Sequence, residues 1–136
     1  RRCIVPADGF YEWIGEGKSR SPVYIQRVDE ALFGMAGLWD EWISPQGLRL
    51  KTVTIITVSP NDFIAPLHHR MAAILSPEDE RLWLNPEARS PERLLKALKP
   101  YPETLKSYRV STLGNSTAVE GPECIEPATL TTLFEL

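Results

Sequence analysis

The 136 residues hold two cysteines, Cys3 and Cys124, and no Cys-x-x-Cys pair. So few thiols exclude a disulfide scaffold, and their spacing offers no zinc site. Long apolar runs are also missing. The longest, such as Val53 to Val58, are strand-sized and interrupted by threonines, far below the ~20 residues that cross a bilayer. No basic stretch leads into an apolar one at the start, so no secretory signal and no membrane partner are expected. A reducing interior is the expected compartment. No phosphate-cradling glycine motif and no Gly-x-Ser-x-Gly elbow occurs, which removes the commonest nucleotide-binding and hydrolase patterns. Charge of one sign is scarce as well. The formal net charge is −3, whereas a chain that grips phosphates usually shows a basic face.

What is present suits one globular domain, with 43% apolar and 24% charged residues. Arg1, Arg2, Lys18, Arg20 and Arg27 crowd the start, while after Arg109 there are four glutamates and no lysine or arginine. Contact with a polyanion is therefore expected in the N-terminal half. The sequence opens without an initiator methionine and reads as a fragment of a longer chain.

Cys3 to Val5 is a short strand-like run ended by the turn residues Pro6-Ala7-Asp8-Gly9. Phe10 to Ile14 resumes as a strand, which puts Phe10, Glu12 and Ile14 on one face and Tyr11 and Trp13 on the other. A loop over residues 15 to 21, a strand over Pro22 to Val28 and a turn at Asp29-Glu30 follow. Leu32 to Ile43 is extended, with Gly34 and Gly37 marking bulges or close backbone approach. Leu50 to Val58 has the clearest strand alternation. Ser76-Pro77-Glu78 and Ser90-Pro91-Glu92 each place a hydroxyl at a helix N-cap, proline at the first helical position and an acid near the positive dipole end. The helices are expected to stop before Asn85-Pro86 and before Pro100. Tyr108 to Ser111 reads as a late strand and the remainder as loop. The fold class is α+β, in one domain.

Four residues stand above scaffold. Glu12 is a carboxylate in an aromatic strand, able to give or take a proton or to hold an amine; the plainer alternative is a surface or salt-bridged acid. His68 and His69 are the only histidines, and imidazole titrates near neutrality, which suits proton transfer. A capping or structural histidine is the alternative. Arg70 beside them suits phosphate. Adjacent histidines diverge in a strand or a helix, so they make a poor chelating pair and no metal is expected. Cys3 and Cys124 read as small core residues.

Taken together, Arg1 to Trp13, Ala36-Gly37-Leu38-Trp39, Asn61 to Met71, Val110-Ser111-Thr112 and Gly121-Pro122-Glu123 resemble successive blocks of the SOS-response-associated peptidase (SRAP) family, which shields abasic sites. The resemblance runs over essentially the whole chain in the expected order. It implies a mixed, largely antiparallel, barrel-like β core with a few short helices, a single SRAP-type domain over 1–136 lacking its N-terminal segment. It further implies binding of single-stranded DNA at abasic sites by a monomer, in the cytoplasm and on the nucleoid when bound, with no cofactor. In the family an N-terminal cysteine, exposed by autoproteolytic removal of the initiator methionine, condenses with the ring-opened sugar aldehyde to a thiazolidine crosslink. Glu12 matches the glutamate that holds the reacting amine, and His68 the histidine that assists ring opening. Arg70 matches a phosphate-contacting arginine, and Asn61 and Arg2 are expected beside the DNA.

The family's Met-Cys-Gly-Arg-type start and Asn-Ala-Arg motif do not occur here. The chain alone is thus expected to be inactive, since Arg1 offers an amine without a thiol while Cys3 and Cys124 have their nitrogens in peptide bonds. His69 replaces a usual acid and is expected to be a bystander. Ala72 replaces a usual proline, and Thr117-Ala118-Val119 stands where many members carry a basic loop. Two other functions compete: a non-catalytic module binding single-stranded DNA or a partner, and a peptidase acting on other proteins.

Overall fold

The computed structural model describes residues 1–15 and 20–128. Nine strands, two helices and two 3-10 turns follow the chain within them. Strands β1 (Arg2–Ala7), β4 (Phe33–Ile43) and β5 (Arg49–Ile55) form one antiparallel sheet in the order β1-β4-β5, and β8 (Ile74–Leu75) also pairs with β4. Strands β2 (Phe10–Ile14), β3 (Ser21–Arg27) and β9 (Leu105–Arg109) form a second antiparallel sheet with β3 in the middle. A short ribbon joins β6 (Thr57–Val58) to β7 (Met71–Ala72). The α+β class holds, with open antiparallel sheets and no closed barrel among the described residues.

Strand alternation explains the layers. In β4 the side chains of Phe33 and Met35 share a face with Val5 and Ala7 of β1, their cross-strand partners. These four pack with Val23 and Ile25 of β3, Phe10, Ile64 and Leu105 into the core between the two sheets. The opposite face of β4 carries Gly34 and Ala36. There Ile4, Ala36, Ala73 and Leu75 meet Trp83 and Ala97 of the helices α1 (Pro77–Leu84) and α2 (Pro91–Ala97). A Cβ at Gly34 would overlap the Glu80 carboxylate and Ile4, and one at Gly37 would press on the Cys3 sulfur and the Thr54 carbonyl. Close approach, with unbroken register and no bulge, accounts for both glycines.

Both helices begin as their sequences dictate. Ser76 Oγ accepts the Asp79 amide at 3.1 Å and Ser90 Oγ the Arg93 amide at 3.4 Å, with proline at the first helical position. The Trp83 indole N–H is shared between the carbonyls of Cys3 (3.0 Å) and Gly37 (3.3 Å), fixing α1 to the β1–β4 pair. Cys3 is half-buried and Cys124 buried, and both are free thiols.

The expected strand over Leu50 to Val58 is in fact two. It breaks at Ile56, whose amide donates to the Ala36 carbonyl while its own carbonyl accepts from Ala73. Ala36 in turn donates to Ala73, so three chain segments close a ring of bonds, each 2.9 Å long. The late strand is Leu105–Arg109 rather than Tyr108 to Ser111. Val110 instead forms an isolated bridge with Pro127, and Ser111 caps the 3-10 turn at Thr112–Asn115. Residues 16–19 of the expected loop and 129–136 of the C-terminal stretch lie outside the described residues.

Candidate active site

Glu12 sits in the middle of β2, opposite Val23 of β3. Its face runs from Phe10, packed edge-on against Phe33 with ring centroids 6.3 Å apart, out to Ile14, which is exposed. The carboxylate therefore lies where core gives way to solvent, and its side chain is 20% exposed. The turn leading into β2 is fixed from the second sheet. Tyr24 donates its hydroxyl to Asp8 at 2.8 Å, and its ring lies where a Cβ at Gly9 would be.

His68 arrives from the other side of the chain. Asn61 Oδ1 accepts the Ile64 amide at 3.0 Å, the Asn61 carbonyl accepts those of Ile64 and Ala65, and the Ile64 carbonyl accepts those of Leu67 and His68. Those bonds wind 61–67 into helical turns anchored by the fully buried Ile64. Pro66, which has no amide to donate, interrupts the ladder. The turn releases His68 with Nδ1 3.9 Å from Oε1 of Glu12, an ion pair whenever the imidazole is protonated. His68 Nδ1 also lies 2.8 Å from the Arg70 carbonyl oxygen and 3.2 Å from the Arg70 amide nitrogen.

The expected divergence of the two histidines does not occur. Residues 68–70 belong to neither strand nor helix, and without a regular alternation the rings come together, centroids 4.4 Å apart and tilted by 40°. His69 is thus a ring neighbour of His68.

Arg70 is exposed but tied down. Its Nη2 donates to the Thr57 carbonyl and, at 3.0 Å, to Thr57 Oγ1, which Nε also reaches at 3.2 Å. The two N–H groups of Nη1 take no part in these bonds and keep the capacity for an anion.

Glu12 and His68 thus come together beside the backbone of Arg70, whose guanidinium is bonded to Thr57, whereas Arg2 and Asn61 are employed in the scaffold. Arg2 donates from Nε to the Trp83 carbonyl (2.5 Å) and from Nη2 to that of Asn85 (2.7 Å), closing the C-terminal end of α1 with its guanidinium over the Trp83 ring. Asn61 donates its amide to the Tyr101 carbonyl at 2.9 Å besides capping the turn. Thr57 was not singled out by the sequence, where it reads as one more threonine in an alternating strand. Only the pairing of β6 with β7 brings it beside Arg70.

One carboxylate and one imidazole thus face each other, from β2 and the segment preceding β7, next to the backbone of an arginine whose guanidinium is fastened to Thr57. The family model described as SOS response associated peptidase (SRAP) matches residues 1–117. The chain belongs to this family. It is 43% identical over 128 residues to the abasic site processing protein YoqW of Bacillus subtilis (strain 168), covering 93% of this chain and 57% of that protein. To the abasic site processing protein HMCES of Gallus gallus it is 35% identical over 150 residues, covering 96% of this chain and 44% of that one. A crystal structure of a protein from Bacteroides thetaiotaomicron superposes with a TM-score of 0.83 at 35% identity, over 94% of this chain and 57% of the other. The chain therefore spans about half the length of the relatives it matches.

Proposed function

We propose that the complete protein acts on abasic sites in single-stranded DNA and becomes covalently joined to them. The observation that supports this most is the pairing of Glu12 with His68 at 3.9 Å, from separate segments, in a chain 43% identical to an abasic site processing protein. The proposed nucleophile is an N-terminal cysteine of the complete protein, left by autoproteolytic loss of the initiator methionine. It is not among these 136 residues.

An abasic sugar is mostly a closed ring and must open before it reacts. Opening breaks the C1′–O4′ bond, takes a proton from the C1′ hydroxyl and delivers one to O4′; His68 is the proton-transfer group. The α-amine then adds to the aldehyde and water leaves, giving an imine. Addition of the thiol to that carbon, its sulfur bonding to carbon and its proton passing to the imine nitrogen, closes the thiazolidine. The amine must be partly neutral to begin and must give up a proton as it adds, and Glu12 is the group proposed to hold it and take that proton. Nη1 of Arg70 is the proposed phosphate contact; Arg2 and Asn61 contribute to DNA binding through the elements they hold.

Incubating the complete protein, beginning with a verified N-terminal cysteine, with abasic and with intact single-stranded DNA tests this directly. A band shifted on a denaturing gel is expected with abasic DNA only. His68→Ala is expected to slow its appearance by about 10²-fold to 10⁴-fold, and His69→Ala far less. The 136-residue chain alone is expected to show no adduct by intact mass. DNA retained under native conditions without any denaturation-resistant band would instead support a non-catalytic DNA-binding module.

A further inference from the structure

Thr57 is not among the residues assigned above to chemistry or DNA, yet three hydrogen bonds tie it to Arg70. The Arg70 guanidinium folds back across the β6–β7 ribbon and brackets Thr57 through both its hydroxyl and its carbonyl. A side chain fastened at its far end fixes the peptide groups it springs from. Those are the two groups that touch His68, with the Arg70 carbonyl 2.8 Å and the Arg70 amide 3.2 Å from Nδ1.

One is an acceptor and the other a donor. When Nδ1 carries a proton it donates to the carbonyl, leaving Nε2 free to be bare or protonated. When Nδ1 is bare it accepts the amide, and Nε2 carries the proton. The imidazole therefore has a main-chain partner in each tautomer and as the imidazolium, and need not swing away as it changes state. A group that must act first as base and then as acid during ring opening benefits from such an anchor, because misplacement by even 1 Å can cost 10²-fold in rate.

We infer that Thr57 is a positioning residue for His68, acting through Arg70, whose peptide groups form a two-state anchor for the Nδ1 atom. The inference rests on the functional reading only in giving His68 a proton-transfer task; the anchor is a matter of structure and is testable without DNA. Two measurements on the complete protein separate these. In the first, ¹⁵N-histidine-labelled wild type, Thr57→Val and Thr57→Ser are compared by long-range ¹H–¹⁵N correlation, with the His68 signals assigned by their loss in His68→Gln. Thr57→Val, which deletes the hydroxyl at nearly constant shape, is expected to shift the His68 ring nitrogens and change the tautomer ratio, whereas Thr57→Ser keeps both close to wild type. In the second, the single-turnover crosslinking rate is measured at saturating abasic single-stranded DNA, so that weaker phosphate binding does not enter. A loss of roughly tenfold is expected for Thr57→Val, with rescue in Thr57→Ser.

His68 nitrogen signals in Thr57→Val that coincide with those of wild type would overturn the inference, and so would a rate loss in which Thr57→Ser is no better than Thr57→Val. Should Thr57→Val fail to fold, Arg70→Lys provides the same nitrogen comparison, since an ammonium cannot bracket Thr57 with two nitrogens. A wild type that forms no crosslink would sink the functional reading, and the nitrogen spectra would still decide the role of Thr57.

Discussion

Strand β3 is hydrogen-bonded along both edges, to β2 and to β9, and its residues Val23, Tyr24 and Ile25 are at most 4% exposed. The far half of β4 has comparable residues in very different surroundings. Beyond Leu38 it has left β1 behind, keeping one bond from the Trp39 amide to the Arg1 carbonyl and otherwise pairing with β5, so Trp42 is 55% exposed and Val53, opposite Trp39, is 59% exposed. Alternation continues without a fault along β4, with Trp39 and Ile43 prolonging one face and Leu38 and Trp42 the other. What ends is the cover on each side. Apolar pattern makes a strand, and a second layer decides whether that strand is core.

The sharpest way to test this contrast lies under the site. Ile64 is fully buried between the sheets and anchors the turn that delivers His68. Ile64→Ala is expected to cost about 2–5 kcal/mol in urea unfolding, and a loss like that of a surface change would mean the turn is not part of the core. Next come the buried hydroxyls. Burial, helped by the hydrogen bond to Asp8, raises the Tyr24 pKa, and burial with the Glu103 bond pushes Tyr101 up to about 12. Both folded values lie above the unfolded value near 10, so their contribution is complete below pH 10 and is lost as pH climbs toward 12. Thermal melts should fall over that window, and Tyr101→Phe should flatten the fall; a melt independent of pH there would contradict the burial.

Smaller effects are expected where cover is absent. Val53→Ala should change unfolding free energy by no more than about 0.5 kcal/mol, and a core-sized loss would break the comparison outright. The smallest concerns Asp29, whose carboxyl is held down to about 2, below its ordinary 3.8, chiefly by the hydrogen bond from Arg27 and then by the Ala31 amide. Its contribution is present above pH 4 and fades as pH falls toward 2. Because the pair is open to solvent, Asp29→Asn should reduce only slightly the drop in melting temperature across that range.

Local patterns were the legible part of this fold. The Ser-Pro-Glu helix starts, the Asp-Gly turn and the placement of Glu12 on the Phe10 face follow from rules that involve neighbours in sequence. The break at Ile56 does not, because that residue leaves its strand to serve two distant backbones, and nothing in the run from Val53 to Val58 records this. The site divides the same way. Glu12, His68 and Arg70 were visible as residue types in a family pattern, but their mutual distances were not. The contact of the two imidazoles was hidden because it depends on 68–70 lacking regular structure. Thr57 was hidden because its meaning comes from a strand pairing of only two residues on each side.

The ring of amides linking Ala36, Ile56 and Ala73 bears on how the molecule breathes. Each of the three segments gives one bond and takes one, so none can peel away without breaking two of the three bonds, and Ala36 and Ala73 are fully buried at the junction. Thr57 follows one member of the ring directly, and Arg70 stands three residues before another. Opening around His68 is therefore tied to opening of the main sheet. In deuterated water these three amides should exchange together and only through global unfolding, among the slowest in the chain, while the amides of β5 from residue 49 to 53, on its exposed arm, wash out early.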